Sequence, residues 1–306
     1  MGLSARNTGI VRGSMRIRGN LVGVAPRLIS RMRTIALIIA AIALGGPAST
    51  LAFDLKPSMR EQVKLGKSAS EQIRKDPKVK VLPDTDLRVK LLRRIADRLM
   101  KTIPEKEVKS KPWVYSFDVI QDDEINAFAL PGGPVFFNTG LLKMMDTEDQ
   151  VAGVLAHEII HVRKEHWARD YARTLEQQGL FLIAGLLLGV NDTLMQGASL
   201  LETYGLQLPR SRRFETEADT EGYAMMVQAG YNPQGMVDVF VMLNANHKGK
   251  PPEFMSTHPD EKNRIKKLQD MLAKAPQAYP PQTPIVGPWR KREQAILQVR
   301  GLLVGR

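Results

Sequence analysis

Cysteine is absent from the 306 residues. That excludes a disulfide-stapled scaffold, Cys-type zinc fingers, Fe–S clusters and a thiol nucleophile, and with them a lipid-anchored bacterial N-terminus, which needs a Cys. Acidic residues are missing from residues 1–52, which hold seven Arg. Taking those seven from the net charge of +12 leaves +5 for the rest, an ordinary excess. The basic charge therefore belongs to a terminal segment and not to a groove for DNA or RNA, and no nucleic-acid partner is expected. Long apolar runs are also lacking. Ile35–Leu44 and Leu180–Val190 both fall short of the roughly 20 residues a spanning helix needs, so the second reads as a buried helix. What is present, 43% apolar and 25% charged residues, excludes wholesale disorder and can bury a sizeable core.

The basic terminus has an order. Arg31 and Arg33 precede the apolar run Ile35–Leu44, and Gly45, Gly46, Pro47 and Ala48–Ala52 follow. A positive segment, a short apolar segment and a small-residue exit form the pattern of a secretory signal, with cleavage expected after Ala52. Residues 1–52 are thus read as a signal sequence, and the protein as periplasmic or exported, with peripheral membrane association open to it. The absence of Cys is compatible with an oxidising compartment.

Beyond it the chain alternates helical and short extended patterns. Residues 57–77 and 86–102 read as helices; in the second, Leu87, Leu91, Leu92, Ile95 and Leu99 recur at three- and four-residue spacing. Trp113–Ile120 alternates as a strand, and two short strands, Asn126–Leu130 and Pro134–Asn138, flank Pro131-Gly132-Gly133. A small antiparallel sheet is expected, with Pro134 at a place that suits an edge. Thr147 and Gln150 make a capping box that opens an amphipathic helix. Helices follow at Arg212–Ala229, from Asn232-Pro233 to about Asn246, and at Pro259–Ala273, with His247–His258 as a loop. Prolines 276, 280, 281, 284 and 288 mark a linker before a last helix, Trp289–Leu303. The expected organisation is α+β and mainly helical: residues 53–275 as one domain, 276–306 as a Pro-rich linker and C-terminal helix.

One pattern carries chemistry. His157-Glu158-Ile159-Ile160-His161 is H-E-x-x-H inside the helix opened by Thr147, in a chain with five histidines. Residues four apart share a helix face, so both imidazoles converge on one ion, and Glu158 lies beside it, placed to hold a water. A catalytic zinc takes three protein ligands and keeps a fourth place open. His166, His247 and His258 are the remaining histidines; His166 and Trp167 read as packing at a helix end. A carboxylate is the other option. Glu215 and Asp219 are spaced to face one way, with Glu217 and Glu221 as a competing pair. His258, Arg212 and a protonated Asp219 are candidates to stabilise an oxyanion. His258, at the end of a loop hinged at Gly249, reads as a helix-start residue that packs locally, as an oxyanion stabiliser, or as a blocking ligand at the open position. A weakly proteolytic, chaperone-like or binding protein is the competing reading; the intact Glu158 speaks against it.

Five segments resemble the zinc metallopeptidases of peptidase family M48, which include CAAX prenyl proteases, HtpX heat-shock proteases and Oma-type proteases. They are Asn126–Leu142, Glu148–Val162, Ser211–Asp219, Ala229–Pro233 and Ser256–Pro259, together spanning roughly residues 60–273. The resemblance implies a gluzincin-type fold, one Zn2+ held by His157, His161 and Glu215, and Asp219 supporting the site or donating a proton. It also implies that Pro134–Asn138 is the edge strand along which a peptide lies. It further implies polypeptide substrates, misfolded envelope or outer-membrane proteins among them, since the chain is similar to the exported bacterial branch.

Overall fold

The computed structural model describes residues 56–174, 176, 211–245, 252–258, 261–275 and 278–287. The signal segment, Leu180–Val190, Gly249 and the Trp289–Leu303 helix lie outside the described residues. Helix α1 (Met59–Lys75) opens with a capping box in which Ser58 and Glu61 satisfy each other's backbone N–H. Asp86 caps α2 (Leu87–Met100), whose recurring apolar positions bury Leu92, Ile95 and Leu99 completely. A short α3 (Glu105–Ser110) follows Pro104.

The sheet comprises β1 (Ser116–Ile120), β2 (Ala127–Ala129) and β3 (Pro134–Asn138), in the order β1-β3-β2. It is mixed, not antiparallel as expected: β1 runs parallel to β3 and β2 runs antiparallel to it. Pro134–Asn138 is the middle strand, not an edge, and all five of its residues are buried. Alternation in a sequence reports faces, not partners, so it cannot tell a middle strand from an outer one. Pro134 is tolerated there because it is the strand's first residue. The turn that inserts β3 needs its glycines. Gly132 and Gly133 have φ of 79° and 138°, and a Cβ on Gly132 would fall 2.4 Å from the α1 backbone at Val63. Val81 bridges the outer side of β1 at Ile120, whereas the outer edge of β2 pairs with no strand among the described residues.

After α4 (Thr139–Met144) comes α5 (Glu148–Arg163), started by the expected Thr147–Gln150 capping box. It is not amphipathic: Asp149 through Val162 are all buried. It sits in the middle of the molecule, covered by α2, β2, α6 (Arg212–Gln228) and α7 (Gln234–Ala245). The chain stays helical over 166–174. The expected loop before His258 contains a short helix, α8 (Glu253–Thr257), and α9 (Glu261–Ala273) follows.

The Pro-rich segment is extended, as its composition implies, but it is not a free linker over 278–287. It forms a strap on the start of α5. Glu148 donates to the Thr283 carbonyl at 2.8 Å, Ile285 donates to the Asp146 carbonyl at 2.8 Å, and Thr283 donates to buried Asp149 at 2.6 Å.

Candidate metal centre

The side chains singled out by the H-E-x-x-H pattern meet at the centre of the fold. His157 and His161, one turn apart on α5, bring their Nε2 atoms to 2.9 Å of each other. The Glu215 carboxylate reaches both from the first turn of α6, with Oε2 at 3.3 Å from His157 Nε2 and Oε1 at 3.4 Å from His161 Nε2. Ser211 caps that helix through the Phe214 N–H and so aims its first turn inward. All three side chains are fully buried, or nearly so.

The donor set fits a zinc ion. Glu215 is a buried carboxylate, and neither of its oxygens makes a hydrogen bond of acceptable geometry. Two imidazole lone-pair positions face the same point. Arg264 Nη1 approaches one of those oxygens at 3.0 Å, and the side of the carboxylate turned to the two nitrogens is suited to a cation lying between them. His258 joins the group: one ligand atom each from His157, His161, Glu215 and His258 lie within 4.8 Å of one another.

Around this core the other predicted residues take distinct positions. Glu158 is fully buried; its Oε2 accepts the Ala129 N–H on the outer edge of β2 at 2.8 Å, and its Oε1 lies 3.1 Å from His258 Nε2. The edge strand beside the metal helix is therefore β2, not Pro134–Asn138. Asp219, one turn beyond Glu215, accepts from His157 Nδ1 at 2.9 Å. Its oxygens also take Arg264 Nε and Nη2 at 2.6 and 2.8 Å. Burial alone would raise the Asp219 pKa, but the Arg264 guanidinium and His157 hold it far below the usual carboxylate range. Such a group orients an imidazole, and the geometry favours that role over proton donation. Burial works against a charged His157, yet Asp219 and Glu215 outweigh it and push that imidazole up to about 9. The Glu215 carboxyl, which burial would raise, is held low by His258, Arg264 and His157. Arg212, the remaining oxyanion candidate, is exposed at the start of α6.

Two residues escaped the sequence reading. Arg264 is buried on α9, and besides gripping Asp219 it sits 3.0 Å from Glu215 Oε2 and donates to the His258 carbonyl at 3.1 Å. Its signal was a charge one turn before Leu268 on the inward face of that helix. His166, read as packing, lies with Nδ1 at 2.7 Å from His161 Nδ1. Its spacing of five from His161, just past the end of α5, was the available hint.

A buried H-E-x-x-H helix, a carboxylate from a second helix and a short sheet edge alongside define the gluzincin class of metallopeptidase fold. The family model for peptidase family M48 matches residues 87–272, well over half of the chain, and the protein belongs to that family. It is 38% identical over 163 residues to the mitochondrial metalloendopeptidase OMA1 of Schizosaccharomyces pombe, a match covering 53% of this chain and 48% of that one. It is 30% identical over 181 residues to the beta-barrel assembly-enhancing protease of Escherichia coli, covering 54% of this chain and 37% of the relative. Against the Arabidopsis thaliana OMA1 the figures are 32% over 150 residues, 49% and 30%. The matches thus span less than half the length of these curated relatives. Zinc is the family's metal, and the His/Glu/His cluster is able to hold it.

Proposed function

We propose that the protein is a zinc-dependent endopeptidase, with residues 53–275 as its catalytic unit, acting on polypeptides in an exported compartment. The observation that carries the reading is the meeting of His157, His161 and Glu215 beside Glu158 at the outer edge of β2, which pairs with no strand among the described residues. Zinc held by those three side chains would make water acidic enough to ionise near neutral pH and would polarise a carbonyl. Glu158, beside the metal position, would take the proton of the attacking water and return it to the leaving amine. The outer edge of β2 would receive a substrate peptide as an added strand through main-chain hydrogen bonds. Asp219 and Arg264 would hold the His157 ring, and so its Nε2, on the metal.

His258 would restrain this chemistry. Its Nε2 lies within ligand distance of the cluster and against Glu158, while its Nδ1 is anchored to the Phe254 carbonyl at 2.8 Å. We read it as a fourth ligand that holds the water position until the segment before Pro259 moves. Substrates among misfolded envelope or outer-membrane polypeptides are consistent with the signal-like pattern of residues 1–52 and with the name of the Escherichia coli relative.

The test is zinc content and casein cleavage by the full chain beside two variants. Glu158→Gln should keep one zinc per chain and lose cleavage by about 10²- to 10⁴-fold. Near-normal cleavage in that zinc-loaded variant would move the general base elsewhere. His258→Ala should raise cleavage; a fall with zinc retained would make His258 a transition-state stabiliser instead, and no change would reduce it to packing.

A further inference from the structure

His161 offers one ring nitrogen to the cluster and turns the other, Nδ1, to His166. His166 is fully buried, its ring flat on Phe214 with centroids 4.5 Å apart and planes 6° apart. Its far nitrogen, Nε2, lies 3.3 Å from Glu217 Oε2. Glu217 in turn is faced by Arg169 Nη1 at 3.4 Å and Lys164 Nζ at 3.6 Å, which keep it close to this spot. The approach of His166 depends on a break in the helix. Glu165 takes a left-handed backbone (φ 56°), and its carboxylate is held by Gln62 Nε2 at 2.7 Å and Lys56 Nζ at 3.0 Å. The chain thereby turns so that residue 166 packs back against the last turn of α5.

We propose that Glu217 and His166 form a two-step relay that sets the tautomer of His161 and so positions its Nε2 lone pair on the metal. This rests on the reading of His157, His161 and Glu215 as a zinc centre. A neutral imidazole has one N–H and one lone pair, and a carboxylate only accepts. Glu217 therefore fixes the His166 proton on Nε2, which leaves His166 Nδ1 as an acceptor. His161 must then donate from Nδ1, and its Nε2 is left as a lone pair facing His157 and Glu215. Without Glu217, His166 is free to carry its proton on Nδ1, and that arrangement would place a proton on His161 Nε2, where the metal belongs. His157 receives the same service directly from Asp219. His161 Nδ1 faces His166, and His166 passes on to it the proton placement that Glu217 imposes. His166 and Glu217 are positioning residues in this scheme and touch neither metal nor substrate.

The test is the zinc dissociation constant of the full-length protein, measured by chelator competition, together with the cobalt-substituted absorption spectrum and the melting of the metal-free form. Asn at position 166 places its carbonyl oxygen where Nδ1 was, whereas Leu packs on Phe214 but accepts nothing. His166→Leu should weaken zinc about 10- to 100-fold and alter the cobalt spectrum, while His166→Asn stays near wild type. A purely structural role predicts the opposite order, because Leu preserves the apolar contact better. Glu217→Leu should also weaken zinc, and Glu217→Gln, which still accepts from His166 Nε2, should not. Those two lie outside the core and keep the test open if His166→Leu fails to fold. Equal zinc affinity in wild type, His166→Leu and Glu217→Leu would overturn the relay alone. A wild type that binds no stoichiometric zinc would overturn the relay and the proposed function together.

Discussion

Arg264 shows how much one side chain can hold. It is a buried guanidinium between two buried carboxylates, Asp219 and Glu215, and it also takes the carbonyl of His258. Removing one partner of such a group leaves uncompensated buried charge. Arg264→Met should therefore lower unfolding stability in urea by about 3–5 kcal/mol, and a loss under about 1 kcal/mol would mean the carboxylates are neutralised in some other way. The residue was hard to pick out in the sequence because its one-turn spacing from Leu268 is a slight mark among the charges at 261, 262, 266 and 267. His157, Glu158 and His161 were legible because helix geometry alone brings them together. Glu215 was legible only as one of two equally spaced acidic pairs until the family resemblance separated them. His166 shows the same limit, since its partners lie across a helix break and on another helix.

At the scale of elements, α5 is pinned at both ends. Its first turn carries the Thr147–Gln150 box, and its last turn is held by α3: Arg163 makes a two-pronged contact to Glu107 at 2.9 and 2.6 Å, and Lys111 donates to the Arg163 carbonyl at 2.6 Å. Arg163, opposed by burial and helped by Lys111, brings the Glu107 carboxyl down to about 2 from 4.5. A carboxylate depressed on folding contributes stability above its unfolded pKa and loses it as pH falls through the folded one. Glu107→Gln should thus melt below wild type at pH 7, and the gap should close between about pH 4.5 and pH 2. A gap that persists at pH 2 would assign the effect to packing instead. The cap of α5 could be read directly, because it needs only residues within one turn. Strand order could not. The insertion of β3 between β1 and β2 is decided by which faces α1 and α5 must cover, and by a glycine turn whose backbone approach only the folded chain reveals.

In the whole molecule the candidate ligands come from α5, α6 and the segment after α8, so one ion would join three elements distant in the chain. Binding to the native state alone stabilises it by mass action. Stripping the metal with a chelator should lower the melting temperature, zinc should restore it, and His157→Ala should abolish the difference; an unchanged melting curve would argue against a resident ion. No helix among the described residues is long and apolar enough to cross a membrane. The strap over 278–287 has a consequence in mechanical terms. Its main-chain bonds to Asp146 and Glu148 grip α5 at its capped start, ten residues from His157, or about 15 Å at the rise of an α-helix. A pull on the chain beyond Val286 is delivered there first. The strap would then work as a shear pin, the bonds at Ile285 and Thr283 yielding in turn and so limiting the load passed along the helix that carries the histidines.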